Sequence, residues 1–257
     1  MRAKKSYGQH FLINESLADS IVAAAIENAG DLPILEVGPG KGVLTQRLIQ
    51  QNATFKAVEA DRDMISYLKQ NLPRMKERLI AGDFLKQNLN EPFDSEYLLF
   101  GNFPYNISSQ IIFKAIDYNA KIPTIIGMFQ KEMADRIIAP HGSKTYGAIS
   151  VLTQIFYQGK TIFRVSPGSF SPPPKVNSSV IMLHRNPILP PEVDFKTFRM
   201  VVKNSFGQRR KMIRNTLKSV VTQTELLEHR FFTMRPEQLS VQEFIELTLM
   251  IQNQTSN

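Results

Sequence analysis

The chain reads as an α/β protein, a Rossmann-like domain with a mostly parallel sheet followed by a small all-helical domain. Three features lead there. Short apolar runs alternate with helical patterns through the first two thirds of the sequence, as βαβ units do. The run Ile34-Leu35-Glu36-Val37 meets three glycines at alternate positions, Gly38, Gly40 and Gly42, and a helical pattern then starts at Val43. That order of strand, tight turn and helix opens a nucleotide-type pocket. Past Pro187, Pro190 and Pro191, which stop regular structure, the periodicity is helical only.

The elements follow in order. Strands are expected at 34–37, 54–59, 78–81, 97–101 and 123–129, with helices at 15–29, 43–51, 62–71, 107–117 and 130–138. A helix near 147–157 leads to two more strands, near 160–165 and 177–184. These last two are close enough to pair as a hairpin across the loop from Ser166 to Lys175. Residues 185–191 read as a linker. Beyond it, Phe195, Phe198, Val202 and Phe206 share one helical face, and so do Ile213, Leu217 and Val220. Thr222 with Glu225, and Ser240 with Glu243, have capping-box spacing before apolar runs. The expected domains are 1–185 and 193–257.

Composition narrows the function classes. At 257 residues, 42% hydrophobic and 21% charged, the chain fits an ordinary globular protein of one large and one small domain. No apolar run is long enough to span a membrane. The start, Met1-Arg2-Ala3-Lys4-Lys5-Ser6, is basic with no apolar stretch behind it, unlike a secretory signal. There is no cysteine, which excludes disulfides, thiolate catalysis and cysteine-ligated metals, and the four histidines are dispersed. The expectation is a cytoplasmic protein without metal, without a membrane partner and monomeric. The net charge is +8, and Lys196, Arg199, Lys203, Arg209, Arg210, Lys211, Arg214 and Lys218 alone supply eight positives with no acid among them. Positive charge held in one segment is the footprint of a polyanion; the bland alternative is a solvated helix face.

Glu59 lies 21 residues after Gly38, at the end of the second strand, where an acid can accept hydrogen bonds from the ribose hydroxyls of an adenosine moiety. A dehydrogenase has the same layout but usually the spacing G-x-G-x-x-G. Here it is G-x-G-x-G, commoner where the ligand is S-adenosylmethionine, which has no pyrophosphate to cradle. Asp83, closing the third strand, is a candidate for the cofactor's adenine amino group or for a helix N-cap. Asn102-Phe103-Pro104-Tyr105 follows the fourth strand, at the carboxyl edge where such folds bind ligands. An exocyclic adenine nitrogen is a poor nucleophile because its lone pair is delocalised into the ring. The Asn102 side-chain oxygen and the Phe103 carbonyl can accept its two N–H bonds, favouring a pyramidal nitrogen aimed at a sulfonium methyl. Pro104 stiffens the loop, and Tyr105 offers a face to a flipped base, a contact of about 1–3 kcal/mol. Phe170 is either a cover for the base's other face or a core residue under a proline-rich loop.

These residues resemble those of the ribosomal RNA adenine N6-dimethyltransferases, along essentially the whole chain. Gly8-Gln9-His10-Phe11-Leu12 is similar to the family's N-terminal motif over the cofactor. Ile34 to Leu48 is similar to its glycine-rich signature, and Asn102-Phe103-Pro104-Tyr105 to its adenine motif, with Phe103 where leucine or isoleucine is usual. Phe170 to Ser178 is similar to its loop before the last strand. The resemblance implies an S-adenosylmethionine-dependent methyltransferase whose cofactor contacts His10, Leu12, Gly38, Gly40, Glu59, Asp83 and Asn102. Phe206 to Asn215 resembles the helical-domain motif of the branch that dimethylates two adjacent adenines in the 3′-terminal hairpin of 16S rRNA during small-subunit assembly. Arg209, Arg210 and Lys211 are then its RNA contacts. Two alternatives stay open: a 23S rRNA adenine N6-methyltransferase of the macrolide-resistance type, and a non-catalytic rRNA-binding assembly factor. A nicotinamide oxidoreductase is disfavoured by the glycine spacing.

Overall fold

The computed structural model describes residues 10–254. Gly8 and Gln9 of the N-terminal motif, and Met1 to Ser6, lie outside the described residues. The chain divides into two compact units, residues 1–134 with 159–185, and residues 135–158 with 186–257.

The first unit is built on a seven-stranded sheet. Its strands, after a two-residue β1 (Phe11–Leu12), are β2 (Ile34–Val37), β3 (Phe55–Glu59), β4 (Leu79–Ala81), β5 (Leu98–Asn102), β6 (Thr124–Gln130), β7 (Tyr157–Val165) and, after another two-residue strand β8 (Phe170–Ser171), β9 (Ser178–Arg185). The order across the sheet is β4-β3-β2-β5-β6-β9-β7. β2 lies parallel to β3 and β5, and the order reverses at β2, the switch point where open α/β sheets bind ligands. β6 and β9 pair antiparallel, and β9 and β7 are neighbours, as the expected hairpin requires.

Two of the helices begin where capping residues stand. Asn14 accepts the Leu17 N–H at 3.1 Å and starts α1 (Glu15–Ala29). Asp61 accepts the Asp63 N–H at 3.0 Å and starts α3 (Arg62–Asn71). Between them, α2 (Val43–Gln50) starts at Gly42, and α4 (Ser108–Asp117) follows β5. Ala18, Ile21, Val22 and Ala25 of α1 are buried with Leu44, Leu48, Phe100 and Ile126 in one core. At about 25 cal/mol per Å² removed from water, such a continuous apolar contact is the dominant stabilising term.

The second unit is larger than the domain expected over 193–257. Residues 135–158, which begin within α5 (Lys131–Ile137), cluster with the C-terminal helices. The reason is packing. α6 (Ala148–Gln154) lies against α7 (Phe195–Gly207), Tyr146 meets Phe206 edge-on at 5.9 Å, and Phe156 meets Phe195 at 5.0 Å. The proline linker is tied to the same segment: the Asn186 and Ile188 N–H groups donate to the Phe156 and Ile155 carbonyls, at 2.8 and 2.9 Å. Phe198, Val202, Ile213 and Leu217 are buried as their faces predict; Phe195, Phe206 and Val220 are half-buried. Val220 lies beyond the short α8 (Ile213–Leu217), and α9 (Arg230–Thr233) and α10 (Val241–Asn253) complete the unit.

The two capping-box expectations part company. Ser240 and Glu243 form one: the Ser240 N–H donates to Glu243 Oε2 at 2.9 Å and the Glu243 N–H to Ser240 Oγ at 3.2 Å. Thr222 and Glu225 do not. The Gln254 Oε1 takes the Thr222 and Gln223 N–H groups instead, at 2.7 and 3.2 Å, and a 3₁₀ turn starts at Thr224.

Candidate active site

The carboxyl ends of β2, β3, β4 and β5 surround a cavity of about 460 Å³. Its floor is the glycine loop. Gly38, Gly40 and Gly42 have φ of +71°, +55° and +80°, a region that favours glycine. A Cβ on Gly40 would stand 3.2 Å from the Phe11 ring, a contact tight enough that the ring would have to give way.

Glu59 ends β3 and is buried. Its Oε2 accepts the Gly40 N–H at 3.0 Å and its Oε1 the Asp61 N–H at 2.9 Å. Burial raises its pKa, while the backbone N–H groups of Asp61, Gly40 and Ala60 oppose the rise. Each oxygen can accept a further bond from the cavity side. Asp83 takes the N-cap role of the two expected. Its Oδ1 accepts the Leu85 N–H at 2.9 Å, capping the 3₁₀ turn Phe84–Lys86, and the residue also lines the cavity.

Two lining or supporting residues escape sequence reasoning. Glu36, inside β2, is 1% exposed and borders the cavity. Its Oε2 accepts the Thr45 hydroxyl at 2.7 Å. Burial pushes its pKa up to about 8, with the Glu59 charge adding to the rise and the Thr45 hydroxyl opposing it. Its only sequence signal is a carboxylate within an apolar strand. Lys114 of α4 holds the turn behind Asp83, its Nζ donating to the Leu85 carbonyl at 2.7 Å and the Gln87 carbonyl at 2.5 Å. A lysine on a helix carries no mark of that task.

Asn102 ends β5. Its Nδ2 donates to the His10 carbonyl at 3.0 Å. A primary amide has donors on nitrogen and acceptors on oxygen, so fixing the nitrogen also fixes where the oxygen accepts. Phe103 is 1% exposed, and its ring meets Phe129 edge-on at 5.1 Å, which leaves its backbone as the part a ligand can use. Pro104 lies 3.8 Å from where a Gly38 Cβ would be, linking the two loops. The Tyr105 hydroxyl and Ser178 Oγ share a hydrogen bond at 2.5 Å, and burial raises the Tyr105 pKa. His10 stacks on one face of the Tyr105 ring, at 5.4 Å and 30°, and its Nδ1–H donates to the Pro172 carbonyl at 2.8 Å.

The structure thus gathers His10, Leu12, Gly38, Gly40, Glu59, Asp83, Asn102, Phe103, Pro104 and Tyr105 around one cavity. Phe170 is the correction. It is 2% exposed and belongs to the core, not to a surface that can cover a base. β8 pairs antiparallel with β1, and strand alternation turns Phe170 inward while Ser171 is exposed. Arg209, Arg210 and Lys211 lie in the second unit, in the turn after α7. Arg210 and Lys211 are exposed, whereas Arg209 is half-buried and donates to the Ser143 carbonyl at 3.1 Å.

Comparison with known proteins gives the family. The model for "Ribosomal RNA adenine dimethylase" matches residues 1–254. The chain belongs to the ribosomal RNA adenine dimethylase family. Family membership brings an enzyme activity, methylation of adenine in ribosomal RNA, and S-adenosylmethionine as the cofactor. Among similar proteins are two named Ribosomal RNA small subunit methyltransferase A. The one from Phocaeicola vulgatus is 48% identical, covering 100% of this chain and 92% of its own. The one from Cytophaga hutchinsonii is 46% identical, covering 98% of each. A dimethyladenosine transferase from Plasmodium falciparum superposes with a TM-score of 0.77 at 25% identity, over 95% of this chain and 98% of that one. The 23S rRNA methyltransferase ErmE gives a TM-score of 0.65 at 24% identity, over 92% and 98%, a likeness of fold. Among the described residues, no helix is long and apolar enough to cross a membrane.

Proposed function

We propose that the protein transfers methyl groups to the N6 atoms of two adjacent adenines in the 3′-terminal hairpin of 16S rRNA, within an assembling small ribosomal subunit. The observation that carries this reading is the bond from Asn102 Nδ2 to the His10 carbonyl. It commits the donor end of the amide to the protein and reserves Oδ1 as an acceptor on the cavity wall. An acceptor is what an adenine amine needs.

The bound S-adenosylmethionine supplies an electrophilic methyl group on a sulfonium. The residues fit such a molecule: Glu59 has acceptor capacity for two ribose hydroxyls, Asp83 an oxygen for an amino group, and Gly38 and Gly40 a backbone bare of side chains. His10 and Leu12 close the cavity from the β1 side. Asn102 Oδ1 and the Phe103 carbonyl accept the two amine N–H bonds and draw the nitrogen towards a pyramidal shape. The gain is greatest in the transition state, where it accelerates the reaction. Tyr105 stacks the target base on the face that His10 leaves uncovered. Arg209, Arg210 and Lys211 neutralise RNA phosphates. The proton leaves to water after attack, so no general base is required, and sulfonium methyl transfer calls for no Lewis acid. On this reading the enzyme works in the cytoplasm as a monomer.

The small-subunit assignment is favoured over a 23S activity by relatives at 46–48% identity that carry a small-subunit name. Mapping methylated adenines in both rRNAs, with and without the protein, tests it; a new mark in 23S rRNA alone would overturn it. Asn102→Ala should cut methyl transfer at least about a hundredfold, well beyond any weakening of cofactor binding. Full activity in that variant would remove Asn102 from the reaction.

A further inference from the structure

Phe103 does something its backbone role does not require. β5 and β6 are paired so that Gly101 stands opposite Gly127. The Phe103 ring folds back over this glycine pair. A Cβ on Gly127 would lie 2.3 Å from Phe103 Cε2, 2.8 Å from Phe103 Cδ2 and 2.8 Å from Phe129 Cε2. All three distances are shorter than any real Cβ tolerates, and the atoms in the way are ring atoms in a filled core. Across the pair, a Cβ on Gly101 would lie 3.3 Å from Phe103 Cε1. The ring is 1% exposed and its far edge rests on Phe129. The Phe103 N–H donates to the Met128 carbonyl at 3.2 Å, so backbone and ring are both anchored on β6.

Gly127 has no reason of its own to be glycine. It sits in the middle of a buried strand, where glycine is unfavourable, and its φ is not in the left-handed region. What requires glycine there is the Phe103 ring, which makes the nearest contacts, with the Phe129 ring beside it. We propose that Gly127 is a positioning residue for the adenine turn: its missing side chain is the seat of Phe103, and that seat sets where Asn102 Oδ1 and the Phe103 carbonyl stand. Residues 103 and 127 act as one unit of volume, so a smaller side chain at 103 makes room for a larger one at 127. This rests on the reading of the turn given under Proposed function.

The test is a four-way comparison of the full-length protein: wild type, Gly127→Ala, Phe103→Leu and the double variant. Two quantities are read. One is kcat on 16S rRNA beside the Kd for S-adenosylmethionine. The other is the Asn102 side-chain amide signal in a nitrogen-15 spectrum, assigned by its disappearance in Asn102→Ala. Gly127→Ala should lower kcat at least about tenfold and move the Asn102 signal, while the cofactor Kd changes by less than about twofold. The double variant should recover most of the kcat and return the signal towards its wild-type position. Overpacking that merely destabilised the fold would lower the Tm without a fall in kcat for the folded protein. A Gly127→Ala protein with full kcat and an unmoved signal would overturn the proposal. So would a folded double variant no better than Gly127→Ala. If Gly127→Ala fails to fold, recovery of fold and signal by adding Phe103→Leu supports the seat, and no recovery overturns it. If the wild type methylates no 16S rRNA yet the signal moves and returns as described, the seat stands and the functional reading falls.

Discussion

Glu36 is a carboxyl group 1% exposed beside the cavity, with an ordinary pKa of 4.5 shifted up to about 8 by burial. Between those two values the folded chain holds a proton that the unfolded chain has released. Stability therefore falls as pH rises through that interval and levels off above it. Glu36→Gln keeps an acceptor for the Thr45 hydroxyl and carries no charge. Urea unfolding at about pH 5.5 and about pH 8.5 should show a drop in stability for the wild type and a much smaller one for the variant. Equal drops in both would mean that Glu36 ionises as it does in water. The run Ile34-Leu35-Glu36-Val37 reads as a buried strand, but nothing in it says that its one acid keeps a proton there, because that depends on what surrounds the carboxyl group in space.

Single helices show where local signals suffice and where they do not. Ser240 and Glu243 exchange hydrogen bonds at the start of α10, as their spacing implies. Ser240→Ala should cost about 1 kcal/mol, seen as a Tm lower by about 2–4 °C. Thr222 has the same spacing to Glu225, yet Gln254 claims its N–H; Thr222→Ala should shift the Tm far less. A competitor 32 residues away cannot be read from a four-residue pattern. Elsewhere the local signals were enough. α1 and α3 begin and end at the residues expected of them, and β2 does so from its apolar run and the glycine after it. The strands β1 and β8 were missed because two residues hold no periodicity. In the candidate site, Gly38, Glu59 and Asn102 were legible because each stands at or just past a strand end at a recognisable spacing. Lys114 and Gly127 were not, since their parts are defined only by what lies next to them in space.

Charge belongs to the whole molecule. The net +8 equals the charge of the segment from Lys196 to Lys218, so the remaining sequence is balanced. Part of that charge has structural duties, as the Arg209 bond to Ser143 shows, whereas Arg210 and Lys211 are exposed. Replacing Arg210 and Lys211 by alanine should weaken binding to a 16S-type hairpin. It should also flatten the slope of log K against log salt by about 1–2, because each phosphate left unneutralised keeps its counterion. An unaltered slope would reduce the pair to a solvated face.

The second unit is assembled from two stretches, 135–158 and 186–257, with Gly159–Arg185 belonging to the first. A nascent chain is made from its N-terminus, and domains generally fold as units as they emerge. The apolar side chains of Tyr146, Val151, Leu152 and Ile155 are therefore synthesised well before Phe198, Phe206 and Phe244, with which they share a unit. During translation that early stretch must wait, greasy and uncovered, until the last helices leave the ribosome.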